Sequence, residues 1–526
     1  MSDLRFQMNP LLSPRRAGAG APRPVLANPS RRLRWRSLVC TLAVLGGGLA
    51  AQDASPGLSL DDAIHRALAN NRNIKVDAFT RGVGKAGLLA AYGAFDPSLS
   101  FQRSYSQSYS ASYSSTVTGM TVPASTFFQS DNYSIGLGGI MPWGLQYSIG
   151  GTASNQRGSY SPLKNEYLSF GGVQVTQPLL KGFGFSGSAA NLSLRVAKAN
   201  RHIDDLQYRL TVINTVTNVI VAYSDLAAAQ AYLRTAQRSR DLAAGLVAEN
   251  EKRFKVGSMS ENDVISARAK VPLREEGILS AAQAVRDSDN RLRLLLGEHA
   301  FSNDGPLLVV DSPEPPELTL NLAEDLKKSY SLRPDFQQAR YGLDQSRYRE
   351  ANARNQLLPQ VDFVGSYGYS GVSESFAESR RKVADEDQRA YSAGVVVSIP
   401  LTFAQGRGNA RAAKLQRKHD EENLELIKEQ IALSVTAAAG QVETTRKRVE
   451  SARSALDLAQ KTQDAELKKL RVGASSTFEV LYLQEQAAMA EVNLAQALAD
   501  QRSAVALYDR EIGTTLERHH IVLSDR

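Results

Sequence analysis

The sequence predicts an α+β chain in which membrane-type β-strands run into very long α-helices, and three observations carry that reading. Some stretches alternate aromatic and polar residues with period two. Two others, Ala189 to Lys255 and Asn409 to Leu470, hold no proline and carry a coiled-coil seam. The whole order of elements is then written a second time.

In the strands, Phe101, Arg103, Tyr105, Gln107 and Tyr109 fall on one face, and Gln102, Ser104, Ser106 and Ser108 on the other. Period two defines a strand. An aromatic face opposite a wet one is the pattern of an outer-membrane barrel, lipid outside and water inside. In the second half Val361, Phe363, Tyr367 and Tyr369 share a face, as do Tyr391, Ala393, Val395, Val397 and Ile399. A soluble β-sandwich is the competing reading, and the length of the neighbouring helices disfavours it.

Leu192, Val196, Ala199, Ile203, Leu206, Leu210 and Ile213 step alternately by four and three. So do Val435, Ala438, Val442, Thr445, Val449, Ala452 and Leu456. That spacing is a coiled-coil seam. At 1.5 Å per residue each helix would reach roughly 90 to 100 Å, wider than an ordinary globular domain.

The duplication is visible in motifs. Leu60-Asp-Asp-Ala-Ile, closing with Asp96-Pro97, recurs 262 residues on as Leu322-Ala-Glu-Asp-Leu, closing with Leu358-Pro359. Val175-Thr-Gln-Pro178 answers Val397-Ser-Ile-Pro400 at an offset of 222, and Arg253-Phe-Lys-Val-Gly257 answers Lys469-Leu-Arg-Val-Gly473 at 216. The fall in offset gives the first half 40 more residues in its strand region. Part of that surplus, Tyr133 to Ile140, a Pro142-Trp-Gly144 turn and Leu145 to Thr152, reads as an extra hairpin, either in a barrel wall or capping it. The expected organisation is a leader over 1–51 and a first repeat over 52–300, with strands at about 97–180, a long helix 188–255 and a helix 260–297. A proline-rich linker, 301–318, leads to a second repeat over 319–513, with strands at about 359–400, a long helix 408–471 and a helix 476–512. Residues 514–526 form a tail.

The leader reads as a signal peptide: Arg31, Arg32, Arg34 and Arg36, then an apolar run, then small residues. Residues 1–51 hold eight Arg and one Asp, so the rest of the chain carries 54 basic against 53 acidic residues. The basic excess lies in the leader, and nucleic-acid binding is not expected. The one cysteine, Cys40, is also in the leader, which leaves no disulfide and suits an exported chain. The six histidines form no ligand spacing, and no nucleophile elbow or phosphate loop occurs, so neither metal, cofactor nor catalysis is expected. No later segment runs 18 or more consecutive apolar residues, so a membrane would have to be crossed by strands.

Two to three strands per half are too few to close a barrel, and an open sheet edge cannot face lipid because its backbone groups have no partners. Copies must pool their strands. Three chains of four would make a twelve-stranded barrel wide enough for a water-filled lumen.

The leading Leu58-Ser-Leu-Asp-Asp-Ala-Ile with Asn70-Asn71, the strand-to-helix prolines Pro178 and Pro400, and the paired Val256-Gly257 and Val472-Gly473 turns resemble the outer-membrane efflux protein (TolC) family over residues 58–513. The resemblance implies a channel-tunnel: a homotrimer whose β-barrel sits in outer-membrane lipid and continues into the periplasm as an α-helical barrel. It implies a periplasmic adaptor protein and an inner-membrane pump as partners, with passive export as the function. Drug or small-molecule efflux and type I protein secretion both fit. A trimeric coiled-coil adhesive protein of the cell surface, without channel activity, is the alternative from another class; it leaves the two matching strand-and-tip modules unexplained.

Each Val-Gly turn is followed by a helix-start signal, Ser260-Glu-Asn-Asp263 or Ser476-Thr-Phe-Glu479, in which hydroxyl and acid cap the helix. By the resemblance Val256, Gly257, Ser258, Val472, Gly473, Ala474 and Ser475 contact the adaptor; as turn chemistry they equally end a helix. Under threefold symmetry Asp263 and Glu479 would each form an acidic ring that favours cations, though a helix-capping role alone also accounts for them. Two aspartates follow the second tip in the family's best-known member. Glu479 matches the first and Tyr482 replaces the second. The Tyr and Arg that lock its closed tip correspond to Leu470 and Ser475. Gly182-Phe-Gly184-Phe-Ser-Gly187 spells a dinucleotide fingerprint, but no second strand carrying an acid follows within reach. Pro178, Gly182 and Gly184, with Pro400, Gly406 and Gly408, are therefore expected as strand-to-helix hinges.

Overall fold

The computed structural model describes residues 57–113, 123–158, 165–298, 305–310 and 318–523. The leader 1–51, residues 524–526 of the tail and most of the 301–318 linker lie outside the described residues.

Two helices, α1 (Leu60–Asn70) and α2 (Arg72–Tyr92), lead into four strands, β1 (Ser98–Tyr113), β2 (Pro123–Ile140), β3 (Gln146–Gly158) and β4 (Glu166–Pro178). A short turn, α3 (Gly184–Gly187), opens the long α4 (Ala189–Lys255), which returns as α5 (Glu261–Leu296). Then come α6 (Leu322–Leu332), α7 (Pro334–Asn355), β5 (Gln360–Ser373), α8 (Phe376–Ala384), β6 (Gln388–Ser398), α9 (Ala404–Arg471), α10 (Thr477–Ile512) and α11 (Thr515–Arg518). The helix breaks have local causes. Asn71 accepts from the amides of Asn73 and Ile74, so α2 starts where α1 stops. Gly297 ends α5 at φ +73, where a Cβ would lie 2.5 Å from the Asn70 carbonyl oxygen.

All six strands form one antiparallel sheet in chain order. Phe101, Ile135, Gly151, Gly171, Tyr369 and Arg389 lie side by side across it. One face therefore gathers Leu99, Phe101, Leu137, Ile149, Val173 and Val395, all exposed; the other is dominated by serines, glycines and glutamines, with Leu168, Val364, Val372 and Val396 among them. The surplus hairpin is β2–β3, and it pairs on both sides within the sheet. Nothing in the sequence reading foresaw α8. It lies on the aromatic face, with the Phe376 ring 5.9 Å from those of Tyr133 and Tyr167. Ser379 Oγ sits 2.6 Å from Ser169 Oγ and 2.9 Å from the Gly371 carbonyl.

The long helices α4 and α9 have 67 and 68 residues, and their return helices 36 each. Helix α4 packs on α5, α10, α2 and α7. Val212, Val216, Val219, Tyr223 and Leu226 on α4 meet Ile64, Leu292 and Leu296, and Tyr223 donates to the Leu58 carbonyl at 2.9 Å. A second core joins Phe336, Ile431, Val435, Tyr508 and Ile512. One window of α4 is apolar enough to cross a membrane by length and composition, which the count of consecutive apolar residues missed; 67% of it is buried, as a core helix would be.

The first expected hinge lies between β4 and α4. Gly182 and Gly184 have φ +86 and +77, and Asn355 accepts from the Gly182 amide at 2.7 Å. The second is corrected: Gly406 and Gly408 lie inside the first turns of α9, and the left-handed residue is Phe403, at φ +51, after Pro400. The physical difference is backbone conformation: Gly182 and Gly184 hold positive φ, which favours glycine, whereas Gly406 and Gly408 do not, and where the Trp143–Gly144 turn abuts the first hinge it is Gly144 that close contact with the Gly182 carbonyl requires. Asn355 also fills the space beside Gly187, and α4 follows without a strand, so the fingerprint spelling holds no nucleotide cradle.

Candidate functional site: the paired helical tips

The turns α4–α5 and α9–α10 close the two long helices in the same way. Gly257 and Gly473 adopt φ +74 and +78. The Ser258 amide reaches back to the Arg253 carbonyl and the Ala474 amide to that of Lys469, both at 2.9 Å. Inner bonds run from Gly257 to Phe254 and from Gly473 to Leu470. This is a Schellman closure, which needs a left-handed residue after the last helical turn. Ser260 Oγ then accepts from the Asp263 amide and Ser476 Oγ from the Glu479 amide, both at 3.3 Å, restarting the chain as α5 and α10.

The closures leave Val256 and Val472 78% and 79% exposed, apolar side chains at the very ends. Phe478 and Phe254 are exposed beside them. Around these lie Lys252, Arg253 and Lys255 on one tip and Lys468, Lys469 and Arg471 on the other, cations placed at the negative ends of helix dipoles. Glu466 is held below the usual carboxylate range by a hydrogen bond from Ser475 and then by Lys469, 2.9 Å away.

The tips are tied to each other. Arg253 Nη1 donates to the Leu470 carbonyl at 3.0 Å, and Nη2 to Glu249 at 2.7 Å. Buried Asn250 donates to Thr477 Oγ1 at 3.1 Å. Below them Leu246, Ala267, Leu470, Val480 and Leu481 form a small core. Leu470 thus contributes a buried side chain and a bonded carbonyl to the tip. Asp263 accepts from Ser260 Oγ at 2.7 Å and is half-buried, whereas Glu479 is exposed. Asn250, Arg253 and Thr477 were not singled out as site residues. The pairing of Arg253 with Lys469 in the repeat was the available signal. Among the described residues no group of three or more His, Cys, Asp or Glu could hold a metal.

Long antiparallel helices closed at one end by paired tips, and joined at the other to a sheet with one lipid-patterned face, define a subunit of the channel-tunnel class. The chain belongs to the outer membrane efflux protein family, which it matches over residues 142–298 and 326–509. It is 22% identical over 385 residues to outer membrane efflux protein BepC of Brucella suis biovar 1 (strain 1330), covering 72% of this chain and 78% of BepC. It is 24% identical over 289 residues to outer membrane protein TolC of Escherichia coli (strain K12), covering 53% of this chain and 57% of TolC. The fold is that of the Campylobacter jejuni CmeC outer membrane channel: TM-score 0.63 at 14% identity, covering 91% of this chain and 94% of CmeC. The protein is accordingly an outer-membrane exit channel for efflux that extends into the periplasm.

Proposed function

We propose that three copies of the chain form one continuous passive duct, a β-barrel in the outer membrane above an α-helical barrel in the periplasm. The observation that carries this reading is the sheet itself: among the described residues strands β1 and β6 each have a neighbour on one side only, in a sheet with one predominantly apolar, exposed face. Unpaired strand edges are not tolerated in hydrocarbon, so the edges meet those of further copies. Exposed Phe79 on α2, Leu279 on α5 and Leu433 on α9 supply apolar surface for the same association. The chain is a duplicated module, each copy ending in one tip, and performs no catalysis.

In this reading the tips, through Val256, Gly257, Ser258, Val472, Gly473, Ala474 and Ser475, receive a periplasmic adaptor that couples the duct to an inner-membrane pump. Exposed valines ringed by lysine and arginine suit a partner with apolar knobs and acidic flanks. Glu479, exposed just inside the second tip, and Asp263, inside the first, supply rings of carboxylates under threefold symmetry. Single-channel recording of the purified protein in planar bilayers tests this. The duct predicts a conductance that Glu479→Ala raises or makes less cation-selective. A folded trimer that never conducts, in wild type and variant alike, favours a structural surface role instead.

A further inference from the structure

We propose that the hairpin β2–β3 is built into the pore wall, so that the assembled barrel carries six strands for every chain, eighteen in the three-copy duct. The total rests on that trimer; the number per chain does not.

The hairpin is patterned as wall. Tyr133, Ile135, Leu137, Tyr147 and Ile149 share the face of Phe101 and Val173, while Ser134, Gly136, Ser148, Gly150 and Thr152 continue the polar face. A cap in water has no use for a lipid-matched face.

Its periplasmic turn is also locked in place. The Gly184 amide donates to the Trp143 carbonyl at 3.0 Å, and Gly144 adopts φ +97, where a Cβ would lie 2.5 Å from the Gly182 carbonyl. The Gly182-Phe-Gly184 spelling is the socket for this turn. It fixes the base of the hairpin to the start of α4, the place where wall passes into tunnel.

A row of glycines supplies the curvature. Gly136, Gly150, Gly172 and Gly368 lie in register across β2, β3, β4 and β5. A Cβ on Gly150 would stand 2.5 Å from Gly136 Cα, and one on Gly172 2.7 Å from Gly368 Cα. Backbones this close on the polar face fold the sheet toward that face, as a wall curling around water requires. The row begins inside the hairpin, so the bend includes it. Barrel diameter grows roughly linearly with strand number, which makes an eighteen-stranded exit about half again as wide as a twelve-stranded one. The width limit on cargo then falls at the helical tips rather than at the membrane.

Electron cryomicroscopy of the full-length protein in lipid nanodiscs, with native mass spectrometry of the same sample, tests the proposal through the ratio of wall strands to chains. A ratio of six is expected. A ratio of four, with residues 123–158 outside the wall, overturns it. A chain number other than three overturns the trimer and leaves the ratio to be judged by itself. In bilayers, the largest polyethylene glycol that enters from the extracellular side should shrink in radius by about a third when residues 123–158 are deleted and β1 is joined to β4. An unchanged cut-off in a folded deletion variant also overturns the proposal.

Discussion

Arg253 at the end of the first long helix donates to the backbone carbonyl of Leu470 at the end of the second, 3.0 Å away, and so fastens one tip to the other. The bond uses a charged donor and a carbonyl that no substitution of Leu470 can remove. Arg253→Ala should therefore loosen the tip, at a cost of about 1.5–3 kcal/mol for a charge-assisted hydrogen bond. The expected outcome in planar bilayers is a higher open probability with the thermal midpoint little changed. Arg253→Lys, with one donor group in place of the guanidinium fork, should fall between.

Asn250→Ala leaves Thr477 Oγ1 without the donor that now reaches it, at a site where Asn250 is 1% exposed. A buried polar group stripped of its partner costs on the order of 1–3 kcal/mol. Hydrogen exchange should report faster opening confined to the last turns of α4 and the first of α10.

Gly257 and Gly473 have open space where a Cβ would go, so their only constraint is φ. Substitution by valine should cost about 1–2 kcal/mol of backbone strain at each tip, and by asparagine distinctly less. A shift in thermal midpoint that followed side-chain volume rather than tolerance of positive φ would contradict this account.

Burial pushes the Asp509 carboxyl up to about 6, against the pull of Arg518 at 2.7 Å and a hydrogen bond from Thr514. Asp325 on α6 pushes it the same way as burial. The folded chain thus holds this proton more tightly than the unfolded chain. Its contribution to stability is complete below the ordinary carboxylate range and is lost as the pH rises to about 6. Between about pH 4 and pH 6 the wild type should lose on the order of 2–3 kcal/mol per chain relative to Asp509→Asn. Parallel melting profiles for the two proteins would show the carboxyl to be unperturbed.

Much of this was legible in the sequence because it rests on local periodicity. The periodicity from Leu192 to Ile213 and the Val-Gly turns were readable from spacing, and they fall in α4 and at the ends of α4 and α9. What escaped depends on contacts between distant segments. The helix from Phe376 to Ala384 is held by Ser169, Tyr133 and Tyr167, none of them near it in sequence. Gly406 and Gly408 imitate Gly182 and Gly184 in the repeat, but no Trp143 approaches them, and a helix takes them in. The bond from Arg253 to Leu470 joins residues 217 apart, and its acceptor is a carbonyl that every residue possesses.

The length of α4 turns its base into a fulcrum. A helix of 67 residues is an arm of about 100 Å, so one degree of rotation at Gly184 carries the distal end through roughly 1.7 Å. In the proposed duct, an aperture at the tips is thereby geared to the rim of the membrane. A pull on the Trp143 turn from the lipid side would arrive at the periplasmic mouth already magnified to the scale of a hydrogen bond.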